Sequence, residues 1–284
     1  MKRFSLLLLT AVIVINLAFA DTLIVNRTGL STYIQRTEFI LPEGESVVGP
    51  IKLLPVGKAE NVLIKPDNKK DVSFIGYVFE PQKEKWIENM LGKVVSLEGE
   101  GRVISGTIIS VKDGYIIIDT KKGIVISTFP NFPSRLSSSL SWQDTVAPKI
   151  TVKLRSKKPQ NAVINISYPV EGFSYYVNYV ANIEKDSLLI QEFYHIKNDT
   201  SLYLKDIELS VKEGDKINKL YNKTYIEPYS SKVLLTRSIR IDKISGKTVN
   251  IPAQYNLNGA VINLYKDGIF LGTIKVQNST ISIQ

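Results

Sequence analysis

A glycine-rich stretch, LEGEGRVISGTI, raises the question of phosphate binding. A dinucleotide-binding loop needs G-x-G-x-x-G between a strand and a helix, and a P-loop needs Lys then Ser or Thr after its last glycine. Here Ile104 occupies the place of the third glycine, and β-branched residues that disfavour a helix follow Gly101. Thr107 follows Gly106 directly, without a lysine. The stretch therefore does not fit a phosphate loop, and Glu98–Gly101 is predicted to be an exposed turn between strands.

Asp206 and Glu208 are the second candidate for chemistry, as a pair of carboxylates. Residues two apart on a strand point to the same side, about 7 Å from each other. Such a spacing is compatible with the paired acids of a glycosidase. Lysines at 205 and 212 lie close by, and exposed strands often carry similar pairs. A surface role is therefore favoured, and acid catalysis is kept as the alternative.

Aromatic residues in the segment EGFSYYVNYVANI provide the third candidate. In an extended strand Phe173 and Tyr175 share a face, and Tyr179 lies further along it. Tyrosine rings can stack on sugars or bases, which makes these three residues a candidate ligand platform. The same pattern is also typical of a core or a cross-strand ladder.

Few residues of the chain could bind a metal or act as a nucleophile. The chain has one histidine, His195, and no cysteine, which excludes thiolate sites and a multi-histidine zinc site. His195 is out of phase with Ile190, Tyr194 and Ile196, which predicts a histidine on the face of a sheet. We therefore predict no catalytic residues, no metal and no cofactor.

The elements that would position these residues are strands. In KITVKLR, at Lys149–Arg155, apolar and polar residues alternate with a period of two. Such alternation predicts an all-β protein built from antiparallel sheets with one solvated face. Further strands are predicted at Thr22–Asn26, Tyr33–Leu41, Asn61–Lys65, Val72–Phe79, 161–168, 206–211, Leu188–Ile196, Lys232–Ile241 and Ala260–Tyr265. Only Lys83–Leu91 has helical spacing of its apolar residues.

Four short β-rich segments lie between residues 93 and 128. Asp113-Gly114 separates two of them and is typical of a type I′ hairpin, and Lys121–Gly123 marks another turn. We predict a small SH3-like barrel at about residues 91–128. A Pro- and Ser-rich connector follows, which places a domain boundary near Val146. The predicted organisation is an N-terminal β domain at 21–146 that contains the barrel, and a C-terminal antiparallel β-sandwich at 147–284.

The first twenty residues have the order of a secretory signal peptide. Lys2 and Arg3 precede an apolar run, and Ala18 and Ala20 occupy the positions read by signal peptidase, with Asp21 after the cut. An uncleaved membrane anchor is the alternative, but the run is short for a span of about 20 residues. We expect a periplasmic or secreted protein with no transmembrane segment in its mature chain.

The formal net charge of the chain is +9, and it falls to +7 when the two signal residues Lys2 and Arg3 are removed. This charge could attract acidic envelope surfaces. Dispersed lysines that maintain solubility are the simpler interpretation, because no block of like charge exceeds two residues at Lys69-Lys70 or Lys157-Lys158. Nucleic acid is not an expected partner.

A longer pattern in the C-terminal half is similar to a known family. Its parts are a Tyr-ending strand, a Gly-hydrophobe-aromatic turn, an Asn-Tyr pair, a strand ending in Asn and a small residue, and a strand that closes in glycine. They stand at Tyr168, Gly172–Ser174, Asn178–Tyr179, Asn198–Thr200 and Leu209–Gly214. The pattern resembles the C-terminal domain of an exported bacterial β-protein group related to the mucoidy inhibitor A family.

The resemblance extends to LIVNRTGLSTYIQRTEFILPEGESVV near the N-terminus and NLNGAVINLYKDGIFLG near the C-terminus. Two departures are Tyr175 in place of the usual tryptophan and VKEG in place of an Ala-Gly ending. The coiled-coil region of many relatives is replaced by the small barrel. The resemblance implies a β fold and an envelope setting, and it brings no catalytic residues.

These observations favour an exported, non-enzymatic envelope protein that binds or scaffolds an envelope protein or a glycan. Lys149–Arg155 is predicted to be a sheet edge that could receive a partner strand. The alternative is an envelope carbohydrate-active enzyme with paired carboxylates and the aromatic platform.

Overall fold

The computed structural model describes residues 20–81, 87, 90–99, 101–128, 135–139, 147–242 and 248–282. The predicted signal peptide lies outside these residues, except for Ala20. The described chain is almost entirely β-strand, which confirms the predicted all-β fold class. No helix among the described residues is long and apolar enough to cross a membrane.

Most strands fall where the alternation of apolar residues predicts them. In chain order they are β1 (Thr22–Asn26), β2 (Ser31–Leu41), β3 (Gly44–Lys52), β4 (Leu63–Pro66), β5 (Val72–Glu80), β6 (Val94–Gly99), β7 (Arg102–Lys112), β8 (Tyr115–Thr120), β9 (Gly123–Thr128), β10 (Arg135–Ser137), β11 (Lys149–Ser156), β12 (Gln160–Val170), β13 (Phe173–Glu184), β14 (Ser187–Asn198), β15 (Leu204–Glu213), β16 (Lys216–Ile226), β17 (Ser230–Asp242), β18 (Thr248–Asn250), β19 (Val261–Lys266), β20 (Ile269–Lys275) and β21 (Thr280–Ser282). The edge strands β3 and β16 were not predicted, because their apolar residues alternate weakly.

The chain divides into two compact units. Residues 35–168 belong to the first unit, and residues 20–34 together with 169–282 belong to the second. Strands β2 and β12 therefore contribute residues to both units. The predicted boundary near Val146 lies outside the described residues, and the division instead follows Tyr168.

In the first unit, β11 lies at the centre of a three-stranded antiparallel sheet in the order β3-β11-β5. The prediction that Lys149–Arg155 is an open sheet edge is therefore wrong, because the strand pairs on both sides. Alternation reports which face of a strand is buried and carries no information about lateral neighbours. β12 and β4 pair antiparallel elsewhere in this unit.

A five-stranded antiparallel sheet, in the order β10-β6-β7-β8-β9, occupies the predicted barrel region. Its core is formed by Ile87, Met90, Val95, Leu97, Ile108, Ile116 and Ile118. Closure of this sheet into an SH3-like barrel stays a prediction. The helix predicted at Lys83–Leu91 lies largely outside the described residues, although Ile87 and Met90 are described and buried.

The glycine-rich stretch forms a hairpin, as predicted. Gly99 pairs with Arg102, and Gly101 has a φ of +73°, which residues with side chains rarely adopt. Glu100 lies outside the described residues. Asp113 and Gly114 both have positive φ, at 53° and 80°, which agrees with the predicted type I′ hairpin.

In the second unit two sheets form a β-sandwich-like core. One contains β16, β15, β1 and the start of β2, and the other has the order β17-β14-β13-β19-β20. The prediction of purely antiparallel pairing is wrong at two places, because β1 pairs parallel to β15 and β13 parallel to β19. Both pairs join segments far apart in sequence, so no hairpin fixes their direction.

Position 106 requires glycine because the backbone of β8 lies close to it inside the five-stranded sheet. A Cβ atom on Gly106 would lie 2.2 Å from the carbonyl oxygen of Asp119 in β8. A register shift follows immediately, between Ile108 and Ser110. A bulge is therefore present near this glycine, and the backbone itself leaves no room for a side chain.

We predict that Gly106→Ala destabilises the protein by about 2 kcal/mol, because the backbone of β8 must shift. The melting temperature should fall by roughly 5 °C. Val103→Ala on the same strand is the control, since Val103 is exposed. Equal melting temperatures for wild type and Gly106→Ala would contradict the close approach.

Candidate functional site

A polar row crosses the inner face of the second unit's five-stranded sheet. Tyr179 of β13 lies opposite Glu192 of β14, and Glu192 lies opposite Arg237 of β17. Glu192 occupies the same alternation phase as the buried residues Ile190 and Ile196. A carboxylate therefore lies on the face of β14 that otherwise carries buried apolar residues.

A bulge in β17 brings Arg237 to this carboxylate. Glu192 pairs with Arg237 and Phe193 pairs with Leu235, so Thr236 is the extra residue of the bulge. Nη2 of Arg237 donates to Oε2 of Glu192 at 2.5 Å, and Oγ1 of Thr236 donates to Oε1 at 2.9 Å. The Glu192 side chain is only 12% exposed, so both of its oxygens are held in a largely buried setting.

The second carboxylate of the site, Glu213, comes from the end of β15. The hydroxyl of Tyr194 donates to Oε1 of Glu213, and Nδ2 of Asn218 donates to Oε2 at 2.6 Å. Tyr194 belongs to β14 and Asn218 to β16. Glu213 therefore links residues from both sheets of the second unit.

Tyrosine rings surround the two carboxylates. The rings of Tyr175 and Tyr194 stack with their centroids 5.6 Å apart. The hydroxyl of Tyr175 donates to the carbonyl oxygen of Lys212 at 2.9 Å. The guanidinium carbon of Arg27 lies 5.7 Å from the centroid of the Tyr175 ring, which is within the range of a cation–π interaction.

These groups line an open cavity of about 450 Å³, which we call the polar cavity. Its lining residues are Arg27, Val177, Tyr179, Glu192, Tyr194, Glu213, Asn218, Thr236, Arg237, Tyr255 and Asn256. Two carboxylates and two guanidinium groups balance in formal charge. In the described part of the chain, no group of three or more His, Cys, Asp or Glu side chains could hold a metal ion.

The tyrosine hydroxyls of the polar cavity resist ionisation. Burial raises the pKa of Tyr179 from its ordinary value of 10.0 to about 12, and the negative charge of Glu192 adds to this effect. Burial also raises the pKa of Tyr194, and its hydrogen bond to Glu213 is the next cause. Both hydroxyls therefore remain protonated donors at neutral pH.

The structure separates the members of the predicted ligand platform. Phe173 and Tyr175 are 1% and 3% exposed, so they pack in the interior and offer no open ring face to a ligand. Tyr179 is half-buried and lines the polar cavity. Of the three residues, only Tyr179 is placed where it could contact a ligand.

The predicted carboxylate pair lies outside this cavity. Asp206 forms an ion pair with Lys223 at 3.3 Å, and Glu208 forms one with Lys219. Asp206 also has a φ of +55°, and the register of β15 shifts between Leu204 and Ile207. The two acids are thus neutralised by lysines on exposed strands and do not form the paired acids of a cleft.

His195 lies where alternation predicts it, on the sheet face opposite the polar row. Its ring stacks on that of Tyr176 with centroids 4.5 Å apart. Partial burial lowers its pKa. Sequence reasoning missed three charged residues of the candidate site, Glu192, Glu213 and Arg237. For Glu192 the available signal was its phase, which matches Ile190 and Ile196.

Asp21, the predicted first residue after signal cleavage, is held within the second unit. Its Oδ2 accepts a hydrogen bond from the Tyr33 hydroxyl at 2.7 Å, and its carbonyl oxygen accepts one from the amide of Glu208 at 2.7 Å. Ala20 is also described, and Ala18 lies outside the described residues.

Comparison of the chain with protein families, with characterised proteins and with solved structures gave no match.

We predict that Tyr194→Phe destabilises the protein by about 2 kcal/mol, because Glu213 loses a charge-assisted hydrogen bond in a partly buried site. Tyr176→Phe is the matched control, since Tyr176 is exposed on the opposite face of the sheet. Urea unfolding followed by circular dichroism measures both variants. Equal unfolding midpoints for the two variants would contradict the role of the Tyr194 hydroxyl.

Tyr179 should also make stability depend on alkaline pH. The unfolded chain loses this proton near pH 10, whereas the folded protein keeps it until about pH 12, so stability falls as pH rises through that window. In Tyr179→Phe the decline in melting temperature over this window should be smaller than in wild type. Tyr229→Phe, at a residue that is 75% exposed, is the control. Identical declines in wild type and Tyr179→Phe would refute the shifted pKa.

Proposed function

We propose that the protein is an exported, non-enzymatic binding module of the cell envelope, and that its polar cavity binds a neutral, hydroxyl-rich ligand of the glycan class. The observation that carries the proposal is the row of Tyr179, Glu192 and Arg237 on the inner face of the sheet. Polar groups in such a position are costly unless they are well partnered. Their presence beside an open cavity favours a binding role over a purely structural one.

The charge balance of the cavity favours a neutral ligand. Glu192 is paired with Arg237, and Glu213 accepts hydrogen bonds from Tyr194 and Asn218. An anionic ligand would approach two carboxylates, and a cationic ligand would approach two guanidinium groups. A neutral ligand avoids both repulsions.

The donors and acceptors of the cavity match a polyol. Each carboxylate oxygen has more than one lone pair to offer, and each guanidinium has five N–H donors. Sugar hydroxyls both donate and accept, so one glycan can use both kinds of group. The partly exposed rings of Tyr179 and Tyr255 add apolar surface for the C–H face of a sugar.

A carbohydrate-active enzyme is the second candidate, and one observation favours it. Glu192 and Glu213 both line the polar cavity, and the negative charge of each raises the pKa of Tyr194. Glycosidases act with two carboxylates that flank the bond to be cleaved. In this alternative the paired acids are Glu192 and Glu213, in place of Asp206 and Glu208.

The proposed periplasmic or secreted location rests on the sequence. The signal-like order of Lys2, Arg3, the apolar run and the Ala18-Phe19-Ala20 site supports export. The resemblance to the mucoidy inhibitor A relatives supports an envelope setting. The absence of cysteine is compatible with stabilisation by strand pairing and packing alone.

Binding of neutral glycans, measured by array and then by calorimetry, tests the proposal. Glu213→Gln should weaken binding of the selected glycan at least tenfold, because a charged acceptor is lost. Glu208→Gln is the matched control, since Glu208 lies on the exposed face with Lys219. A glycan that binds wild type and both variants equally, or binding only of charged glycans, would overturn the proposal.

The same samples distinguish the enzymatic alternative. Wild type incubated with the bound glycan should leave it intact if the protein only binds. Release of a shorter sugar by wild type and by Glu208→Gln, with loss of release in Glu192→Gln, would establish the carbohydrate-active enzyme instead.

A further inference from the structure

Strand β5 forms an unusually apolar open edge of the three-stranded sheet. Phe74, Ile75, Tyr77 and Val78 are all exposed, and Val78 is 64% exposed. β11 pairs with one side of β5, and no described strand pairs with the other. A long apolar edge of this kind attracts other strands unless the chain protects it.

Most of the other long edge strands among the described residues are protected. Edge strands usually carry Lys, Arg or Pro, which oppose pairing with a further strand. Among the described edge strands of six residues or more, β3 contains Pro50, and β16, β17 and β20 contain lysines. Only β5 and the shorter β9 contain none of these residue types. The sequence thus leaves β5 open to pairing.

Gly76 leaves room beside β5 for the approach of another backbone. A Cβ atom on Gly76 would meet no atom within 4 Å, and its φ lies outside the left-handed region. No described atom therefore contacts the place of a Cβ atom here, and the bulge of β5 lies beside this glycine at Ile75. Glycine inside a strand weakens it and often marks the close approach of a second backbone.

We propose that β5 pairs antiparallel with β5 of a second copy, so that the protein forms a twofold-symmetric dimer through a continuous six-stranded sheet. A twofold axis perpendicular to the sheet places the inner faces of the two copies on the same side of the combined sheet. The pairing partners of β5 identify its inner face. Phe74 and Tyr77 lie opposite Leu154 and Val152, which are fully buried.

One register of the two copies matches these inner faces. It places Phe74 opposite Tyr77 of the second copy, and Val72 opposite Phe79 of the second copy. Aromatic–aromatic and aromatic–β-branched pairs are favourable across antiparallel strands. Because β5 bulges at Ile75, this register also sets Ile75 opposite Gly76 of the second copy, where a glycine provides space.

The outer edges of the combined sheet explain why pairing would stop at two copies. After the two β5 strands pair, the remaining edges are the two β3 strands. Each β3 contains Gly49 and Pro50, and proline removes a backbone donor. The assembly therefore stops at the dimer, because the β3 edges do not add further copies to form a fibre.

Sedimentation equilibrium of the mature chain tests the dimer with two matched variants. Val78→Lys protects β5, and Val47→Lys places the same change on β3, at a residue that is 61% exposed. We expect wild type and Val47→Lys to be dimers at micromolar concentrations, and Val78→Lys to weaken the dimer at least tenfold. Gly76→Val should weaken it as well, with little effect on the circular dichroism spectrum.

Three results would overturn the proposal. The first is a wild-type protein that stays monomeric even when its concentration is raised a hundredfold above the micromolar range. The second is a dimer that Val78→Lys and Gly76→Val leave unchanged, which would place the contact elsewhere. The third is a dimer that Val47→Lys disrupts as strongly as Val78→Lys, which would assign the interface to the opposite edge of the sheet.

Discussion

The ion pair between Glu192 and Arg237 is the interaction on which the polar cavity depends. A charge on the inner face of a sheet is costly, and removal of Arg237 would leave the largely buried Glu192 uncompensated. The two residues are 45 positions apart, and they meet only because β14 and β17 pair in one register with Thr236 as a bulge. The site is therefore a property of strand register, since neither strand could form it alone.

Register also explains how the cavity gathers residues from distant segments. Glu213 and Asn218 come from the hairpin of β15 and β16, whereas Tyr194 comes from the facing sheet. Arg27 directly follows β1, the first strand of the described chain, which pairs with β15. Each sheet supplies one carboxylate, so the alignment of the two sheets sets the shape of the polar cavity. In the proposed function, ligand recognition would thus rest on the contacts that also stabilise the fold.

Alternation in the sequence was sufficient to predict most of the long strands and their buried faces. Thr22–Asn26 was predicted with its observed bounds, and Ile150, Val152 and Leu154 are buried as their phase requires. Lateral order could not be predicted, because period-two alternation is the same for central and edge strands. For this reason β11 was mistaken for an edge. The platform residues Phe173 and Tyr175 were ambiguous for a similar reason, since only the facing sheet decides whether a ring is covered.

The glycines show how far a residue type can be interpreted without its neighbours. Gly101 is explained by its own φ, and its turn was predictable from local sequence. Gly106 is explained by the carbonyl oxygen of Asp119, which only the pairing of β7 with β8 brings near. Gly76 has a φ outside the left-handed region and no atom near the place of a Cβ, and it lies beside the bulge of β5 at Ile75. The space beside Gly76 lies on the apolar edge of β5, and the proposed dimer would fill it with Ile75 of the second copy.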